Sequence, residues 1–335
     1  MAASLRLPAD SACLSGRDER RMMTTAPRFS VLLPTHNRSD VVGLAIASAL
    51  AQSEPDFELL VVCDGCTDTT ADVVRSFVDP RIRLFDLPKA PFFGYANRNV
   101  ALRQARGRLI AYAAHDDLLF PDHLAALGDL LDRSGVEWAY SRPLWVSTDG
   151  CIVPFGTNLE LADERQDFLL RRNTIPSSCV VHTRAALERC GYWPEDSPAG
   201  ADWILWRRMI GTDLPVAYLR QPTTLHFSAS WRKSRHACME QVQTLLEIAD
   251  RSAWWPPALR IPVVAEPEQV AAWRAMQHRR EWTCAVRRGV ETVVDRLAWN
   301  AIEQPPPAAP KPPRKRRGLR KLLGRFGDRL LGSPG

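Results

Sequence analysis

Three polar segments of the sequence hold residue types that could do chemistry: THNR at 35–38, CDGCTD at 63–68 and HDD at 115–117. In HDD, Asp116 and Asp117 are adjacent carboxylates, and such oxygen donors suit a hard cation like Mg²⁺ or Mn²⁺. The alternative is a solvated turn that caps the helix expected from Pro121. Taken alone, the two carboxylates leave both interpretations open.

The CDGCTD segment also has two interpretations. Cys63 and Cys66 form a C-x-x-C pair that could be a redox or metal site, or Asp64 could carry the chemistry at a sharp turn after a strand. A zinc site would need two more ligands, and the sequence has no second C-x-x-C and no H-x-x-x-H. In a thioredoxin-like motif the thiols usually open a helix directly, whereas Thr67 and Asp68 intervene here. The turn interpretation, with Asp64 as the functional residue, is favoured.

A fourth candidate, Asp202, stands at the start of a predicted helix between apolar residues that include Trp203 and Trp206. Such surroundings can raise the pKa of a carboxyl group and turn it into a base that works near neutral pH. An ordinary helix-capping role is the alternative.

The elements that must position these residues follow a regular pattern from Phe29 onward. Short apolar runs alternate with helical segments, and the predicted strands are 29–34, 57–62, 82–87, 108–114 and 136–141. This alternation predicts an α/β fold with a parallel sheet, in which ligands bind at the carboxyl ends of the strands. THNR, CDGCTD and HDD each follow one of these strands and are therefore expected at one edge of the sheet. The sequence has neither a G-x-G-x-x-G motif nor a phosphate-binding P-loop.

Charge and composition limit the partners of the chain. Its 335 residues carry a net charge of +6, but residues 304–335 contribute +8 and the remainder is therefore −2. A nearly neutral folded part argues against nucleic acid as a partner. The eight scattered cysteines do not form a dense disulfide framework, and no apolar run reaches the about 18–20 residues of a membrane span. A cytoplasmic protein without a signal peptide is expected.

Four segments are predicted along the chain. Residues 1–27 form a disordered extension, 28–232 the α/β domain, 233–303 a helical extension, and 304–335 a Pro-rich linker with a basic tail. In the tail, six apolar residues recur at helical spacing between basic ones: Leu319, Leu322, Leu323, Phe326, Leu330 and Leu331. A basic amphipathic helix binds anionic lipid surfaces, which predicts peripheral attachment to the inner face of the plasma membrane. A solvated charged tail is one alternative, and a tail that binds nucleic acid is another.

Together these features resemble the family 2 glycosyltransferases with the GT-A fold. The resemblance covers roughly residues 28–230 and rests on five motifs in the same order: PTHNR, VVCDGCTDTT, NRNVALRQARGRLIAY, HDDLLFPDHL and GADWILW. It implies a Rossmann-like, nucleotide-binding mixed sheet flanked by helices. It also implies an inverting enzyme that depends on Mg²⁺ or Mn²⁺ and moves a sugar from a nucleotide diphosphate to an acceptor hydroxyl.

The resemblance assigns roles to matching positions. It gives the catalytic base to Asp202 and metal binding to Asp116 and His226. It gives nucleotide binding to seven residues: Thr35, Asn37, Arg38, Asp64, Arg98, Asn99 and Asp117.

Three positions depart from the family pattern, because Cys63, Ala114 and Ala201 stand where relatives carry carboxylates.

The function expected from the resemblance is a glycosyltransferase that uses a nucleotide-sugar donor, most simply a UDP-sugar. Its acceptor would be a glycan or a lipid-linked sugar in cell-surface or envelope glycan synthesis. The alternative is a non-catalytic relative that binds nucleotide sugars or serves as a scaffold at the membrane surface.

Overall fold

The structure is a computed structural model that describes residues 26–227, 239–264, 266–277 and 279–303, without the side chains of residues 279 and 298–303. The predicted disordered extension, apart from its last residues, and the predicted linker and basic tail lie outside the described residues. The chain divides into two compact units, Met1–Val294 and Asp295–Gly335.

The described residues contain nine strands and ten α-helices. The strands are β1 (Phe29–Thr35), β2 (Phe57–Asp64), β3 (Ile82–Leu87), β4 (Leu109–Tyr112), β5 (Leu118–Leu119), β6 (Trp138–Val146), β7 (Ile152–Pro154), β8 (Val180–Thr183) and β9 (Val216–Phe227). The helices are α1 (Val42–Leu50), α2 (Thr70–Arg75), α3 (Tyr95–Leu102), α4 (His123–Ser134), α5 (Ala162–Leu170), α6 (Arg184–Cys190), α7 (Ala201–Gly211), α8 (Glu240–Arg251), α9 (Glu268–Gln277) and α10 (Arg279–Glu303). Short 3₁₀ turns precede β8 and follow α8.

All nine strands form one mixed sheet in the order β3-β2-β1-β4-β8-β6-β9-β5, with β7 paired to β6. The first four strands are parallel, as the sequence predicts. The fifth predicted strand, β6, is not their direct neighbour, because β8 lies between β4 and β6 and is antiparallel to both. The result is the mixed α/β sheet with flanking helices that the GT-A resemblance implies.

Apolar layers cover both faces of the sheet. In β1, Val31 and Leu33 pack with Ile46 of α1 and Leu127 of α4, whereas Leu32 points to the opposite layer with Trp206 of α7. Strands buried on both faces need continuous apolar runs, which explains FSVLLP and FELLVV. The polar residues that follow each strand are consequently left at the carboxyl edge.

A buried carboxylate lies at the opposite, amino-terminal edge of the sheet. Glu58 in β2 is 1% exposed and accepts hydrogen bonds from Ser30 Oγ (2.6 Å), Arg83 Nη1 (2.7 Å), Arg106 N (2.7 Å) and Arg106 Nε (2.9 Å). Burial of a carboxylate is tolerated when its oxygens are fully hydrogen-bonded and paired with cations. Glu58 therefore joins β1, β3 and the segment before β4.

The C-terminal extension is helical where the structure describes it. Trp282 of α10 contacts Phe120 edge to face, with 6.1 Å between ring centroids, and Arg287 Nη2 donates to Asp122 Oδ1 at 2.7 Å. These contacts attach α10 to the start of α4. Among the described residues, no helix combines the length and the apolar character that crossing a bilayer requires.

Candidate active site

A cavity of about 190 Å³ lies at the carboxyl ends of β1 and β4. We call it the strand-end cavity; its lining includes Pro34, Arg98, His115, Asp116, Ser177 and Trp193. Two of the residues predicted to act on the donor, Arg98 and Asp116, are therefore brought together, as expected from strand ends that meet at one edge.

The first predicted nucleotide loop is fixed to the neighbouring strand end. Thr67 N donates to Asn37 Oδ1 at 2.8 Å, and Asn37 adopts a positive φ of 49°. The Thr35 hydroxyl is buried and has no hydrogen-bond partner among the described residues. A buried hydroxyl without a partner is costly, and Thr35 directly follows Pro34, which lines the strand-end cavity.

Arg38, at the end of this loop, is held between two carboxylates. Its Nε and Nη2 donate to Asp40 at 2.9 and 3.2 Å, and its Nη1 lies 3.5 Å from Asp116 Oδ2. The guanidinium is thus the nearest described cation to Asp116.

The Asp64 carboxylate is fully engaged by protein donors. It accepts from Lys89 Nζ (2.6 Å), Ala90 N (2.9 Å) and Asn97 Nδ2 (2.7 Å), and it is 4% exposed. A Cβ on Gly94, which has a φ of 72°, would come within 2.4 Å of Asp64 Oδ2. The carboxylate therefore orders the loop between β3 and α3, so a nucleobase would have to share or displace these contacts.

Cys63, one of the two thiols beside Asp64, is in an environment that suppresses its reactivity. Cys63 is fully buried in the apolar layer, and burial together with the adjacent Cys66 raises its pKa to about 12. A thiol with this pKa holds almost no thiolate at neutral pH, and thiolate is the reactive form. Both cysteines are free, so the redox and zinc interpretations gain no support.

Arg98 and Asn99 of α3 have different roles in the structure. Arg98 lies over the rings of Tyr95 (5.0 Å to the centroid) and Trp193 (4.8 Å), and burial lowers its pKa. Asn99 is 1% exposed and exchanges hydrogen bonds with the backbone of Trp193, donating at 2.8 Å and accepting at 3.1 Å. Asn99 therefore anchors the loop that carries Trp193, while Arg98 faces the cavity.

The predicted metal residues do not form a donor set. Both oxygens of Asp117 accept bonds within the protein, from Ser178 Oγ, from Phe227 N (3.1 Å) and from His226 Nδ1 (2.9 Å). Asp116 instead faces Arg38. The described residues contain no group of three His, Cys, Asp or Glu side chains that could hold a metal ion. The Mg²⁺ or Mn²⁺ predicted from the resemblance does not fit this arrangement.

Asp202 lies in the first turn of α7, where the sequence places it. Its oxygens accept from Asn173 Nδ2 and from Trp203 N, both at 2.8 Å. Burial raises its pKa, while the Trp203 N–H, the nearby Arg98 charge and Asn173 act in the opposite direction. A carboxyl group with a raised pKa that interacts with a cavity-lining arginine is suited to accept a proton.

Several residues that shape the site were missed by the sequence analysis: Lys89, Asn97, Asn173, Ser178 and Trp193. One signal could have found Lys89, because the segment PKAPFFG follows the third predicted strand and belongs to the same sheet edge, and Asn97 begins the motif NRNVALRQARGRLIAY. The other three come from distant parts of the chain and have no local signature.

The mixed sheet with its flanking helices has the GT-A fold of solved glycosyltransferases. The structure of the Staphylococcus aureus protein TarS (residues 1–349), solved with UDP-GlcNAc, aligns with 73% of this chain and 69% of the TarS chain, with a TM-score of 0.52 and 19% identity. Residues 30–174 match the family model described as glycosyl transferase family 2. This match confirms the resemblance over residues 30–174.

Curated relatives resemble part of the chain. The succinoglycan biosynthesis protein ExoO of Rhizobium meliloti (strain 1021) is 35% identical over 136 residues, 41% of this chain and 39% of ExoO. The UDP-Glc:alpha-D-GlcNAc-diphosphoundecaprenol beta-1,3-glucosyltransferase WfgD of Escherichia coli is 32% identical over 126 residues, 38% of this chain and 49% of WfgD. The chain therefore spans less than half the length of these two relatives.

Proposed function

We propose that the chain is a family 2 glycosyltransferase that moves a sugar from a nucleotide diphosphate to an acceptor hydroxyl, with inversion at the anomeric carbon. The observation that carries the proposal is the Asp202 carboxyl group, whose pKa is raised by burial and which interacts with the cavity-lining Arg98. The anomeric carbon would lie between the acceptor and the leaving diphosphate. Asp202 would take the acceptor's proton as the new bond forms.

The relatives support a UDP-sugar as donor and a cell-surface glycan as product. WfgD is named for UDP-Glc and a diphosphoundecaprenol acceptor, ExoO for succinoglycan biosynthesis, and TarS was solved with UDP-GlcNAc. In this proposal Thr35, Asn37 and Asp64 form the nucleotide side of the site. Asn99 and Asp117 support it by fixing Trp193 and His226. No step depends on the predicted Mg²⁺ or Mn²⁺.

A lipid-linked acceptor would place the enzyme at the inner face of the plasma membrane. The basic segment at 304–335, which lies outside the described residues, supports this location by its charge and helical spacing alone. Peripheral attachment is therefore part of the proposal.

The Asp202→Asn variant tests the catalytic assignment. We expect nucleotide binding to survive while the transfer rate falls about 10²- to 10⁴-fold, the usual contribution of a general base. Calorimetry with UDP and a coupled assay of UDP release would measure the two effects. Asp196→Asn, which removes an exposed carboxylate before the same helix, is the matched control and should transfer normally. Unchanged turnover in Asp202→Asn would contradict the assignment.

The missing carboxylates at Ala114 and Ala201 favour a second candidate function, a relative that binds nucleotide sugars without transferring them. Hydrolysis of the donor in the absence of acceptor separates the two. We expect slow release of UDP from the wild type. Tight nucleotide binding with no hydrolysis and no transfer would favour the binding protein.

A further inference from the structure

Arg98 brings a positive charge without a direct ion pair to the strand-end cavity. Among the described residues its Nη2 donates to Phe93 O at 3.2 Å, and its buried Nε has no acceptor. Its guanidinium lies over the rings of Tyr95 and Trp193, and the carboxylates of Asp202 and Asp64 act on it only through space. A buried cation without a directly bonded anion is costly, so a negative group of a ligand would fit beside it.

The position where a divalent cation would be expected is instead next to a guanidinium. Arg38 Nη1 lies 3.5 Å from Asp116 Oδ2, while the other carboxylate of the family motif is replaced by Ala114. His115 Nε2 lies 3.8 Å from the same oxygen, and burial lowers the pKa of His115. Arg38, which also pairs with Asp40, therefore places a positive charge of the protein itself beside Asp116.

We propose that this chain binds the diphosphate of its donor through Arg98 without a divalent cation, with Arg38 in the place of the cation beside Asp116. The inference rests on the proposed function. A planar guanidinium donates two parallel N–H groups to phosphate oxygens, and it keeps its charge at any physiological pH. The buried Nε–H of Arg98 and the guanidinium N–H groups that face the cavity supply these donors.

The balance of the reaction is complete without a metal. The bond between the anomeric carbon and the diphosphate oxygen breaks, and that oxygen keeps the electron pair beside Arg98. The acceptor oxygen forms the new bond to the anomeric carbon, and its proton passes to Asp202. Arg98 thus stabilises the leaving group that forms in the transition state.

The decisive experiment measures UDP binding by the full-length wild type in EDTA and in MnCl₂. We expect dissociation constants that agree within about twofold. An affinity that rises more than about tenfold with Mn²⁺ would overturn the inference and leave the proposed function intact. If UDP, GDP and dTDP bind under neither condition, both the inference and the proposed function are wrong.

Variants of Arg98 and Arg103 test which positive charge binds the diphosphate. Arg98→Gln should weaken UDP binding about 10- to 100-fold in EDTA, the value of a charge-assisted hydrogen bond, and Arg98→Lys should lose less. Arg103→Gln removes an equal charge just beyond α3, from a side chain that is 54% exposed, and should bind like the wild type. Equal affinities for Arg98→Gln and Arg103→Gln would overturn the inference. Thermal melts show whether each variant is folded. The comparison of UDP binding by the wild type in EDTA and in MnCl₂ does not depend on any variant.

Direct Mn²⁺ binding tests the role of Arg38. In electron paramagnetic resonance titrations we expect the signal of free Mn²⁺ to persist with the wild type, with or without UDP. Arg38→Gln leaves Asp116 without its guanidinium and should bind Mn²⁺ more tightly than the wild type. Stoichiometric Mn²⁺ binding by the wild type would overturn the inference.

Discussion

At the scale of single residues, Cys63 and Asp64 show how one step along a strand changes chemistry. Their side chains leave β2 on opposite faces, as alternation requires. Cys63 joins the apolar layer with Leu33 and Ala111, whereas Asp64 reaches the polar loop with Lys89 and Asn97. In this C-x-x-C segment, Cys63 is therefore a packing residue, and Asp64 beside it is a carboxylate that orders a loop.

This environment predicts selective alkylation. At pH 7.5 Cys63 should resist iodoacetamide, because its pKa of about 12 leaves almost no thiolate and its side chain is buried. Cys284, which is exposed, serves as the internal control and should be modified first. Mass spectrometry of peptides from native and urea-unfolded protein gives the order of modification. Labelling of Cys63 at the rate of Cys284 in the native protein would contradict the prediction.

The sequence could place the candidate residues at one edge, but it could not show what they touch. Polar residues after apolar strands are a local pattern, and this pattern placed Asp116 at the edge of the sheet where the strand-end cavity lies, whereas Arg98 was predicted from the resemblance. The partners of Asp64 lie 25 to 33 residues away, and His226 lies 109 residues from Asp117. Such contacts depend on strand order, which no local pattern encodes.

At the scale of elements, the ionisation of Glu58 makes the stability of the sheet depend on pH. Burial by itself would raise the pKa of Glu58, but hydrogen bonds from Ser30, Arg106 and Arg83 outweigh it and lower the pKa below the usual value. A carboxyl group with a lowered pKa in the folded state stabilises the fold above its unfolded-state pKa. That stabilisation is lost as the pH falls through the folded pKa.

We therefore expect the free energy of unfolding to fall as the pH drops below about 4.5, and Glu58→Gln to flatten this dependence. At pH 7 the same variant should be less stable than the wild type, because Arg83 and Arg106 lose their anion. Urea denaturation between pH 3 and 7 measures both effects. Glu247→Gln, on an exposed pair with Arg251, is the control. Parallel pH profiles for the wild type and Glu58→Gln would contradict the prediction.

Element type was easier to predict than element order. The four parallel strands follow from apolar runs between helical segments, and they were predicted within a few residues. The insertion of β8 could not be predicted, because its direction depends on pairing with β4 some 70 residues earlier. For the same reason the full length of β9, Val216–Phe227, could not be predicted, because it depends on pairing with β6 and β5.

At the scale of the whole molecule, the basic segment at 304–335 is the proposed site of membrane attachment. We expect the full chain to float with vesicles that contain anionic lipid and a chain ending at residue 303 to stay behind. Raised salt should weaken flotation, because surface charge attraction is screened. Sucrose-gradient flotation measures this.

A matched variant separates charge from amphipathic character. Leu322→Ser with Leu323→Ser keeps every basic residue but removes part of the apolar spacing, and it should float less than the wild type. Vesicles of neutral lipid alone should retain neither protein. Equal flotation of the full and shortened chains would exclude this segment as the membrane anchor.

The position of β8 also matters for how the protein is made. Because β8 pairs with both β4 and β6, those two strands lack a shared neighbour until residues 180–183 have left the ribosome. Open strand edges pair readily with other chains, and domains emerge from the N-terminus first. Nascent chains that end between residues 146 and 180 should therefore be the most prone to aggregate and the most dependent on chaperones.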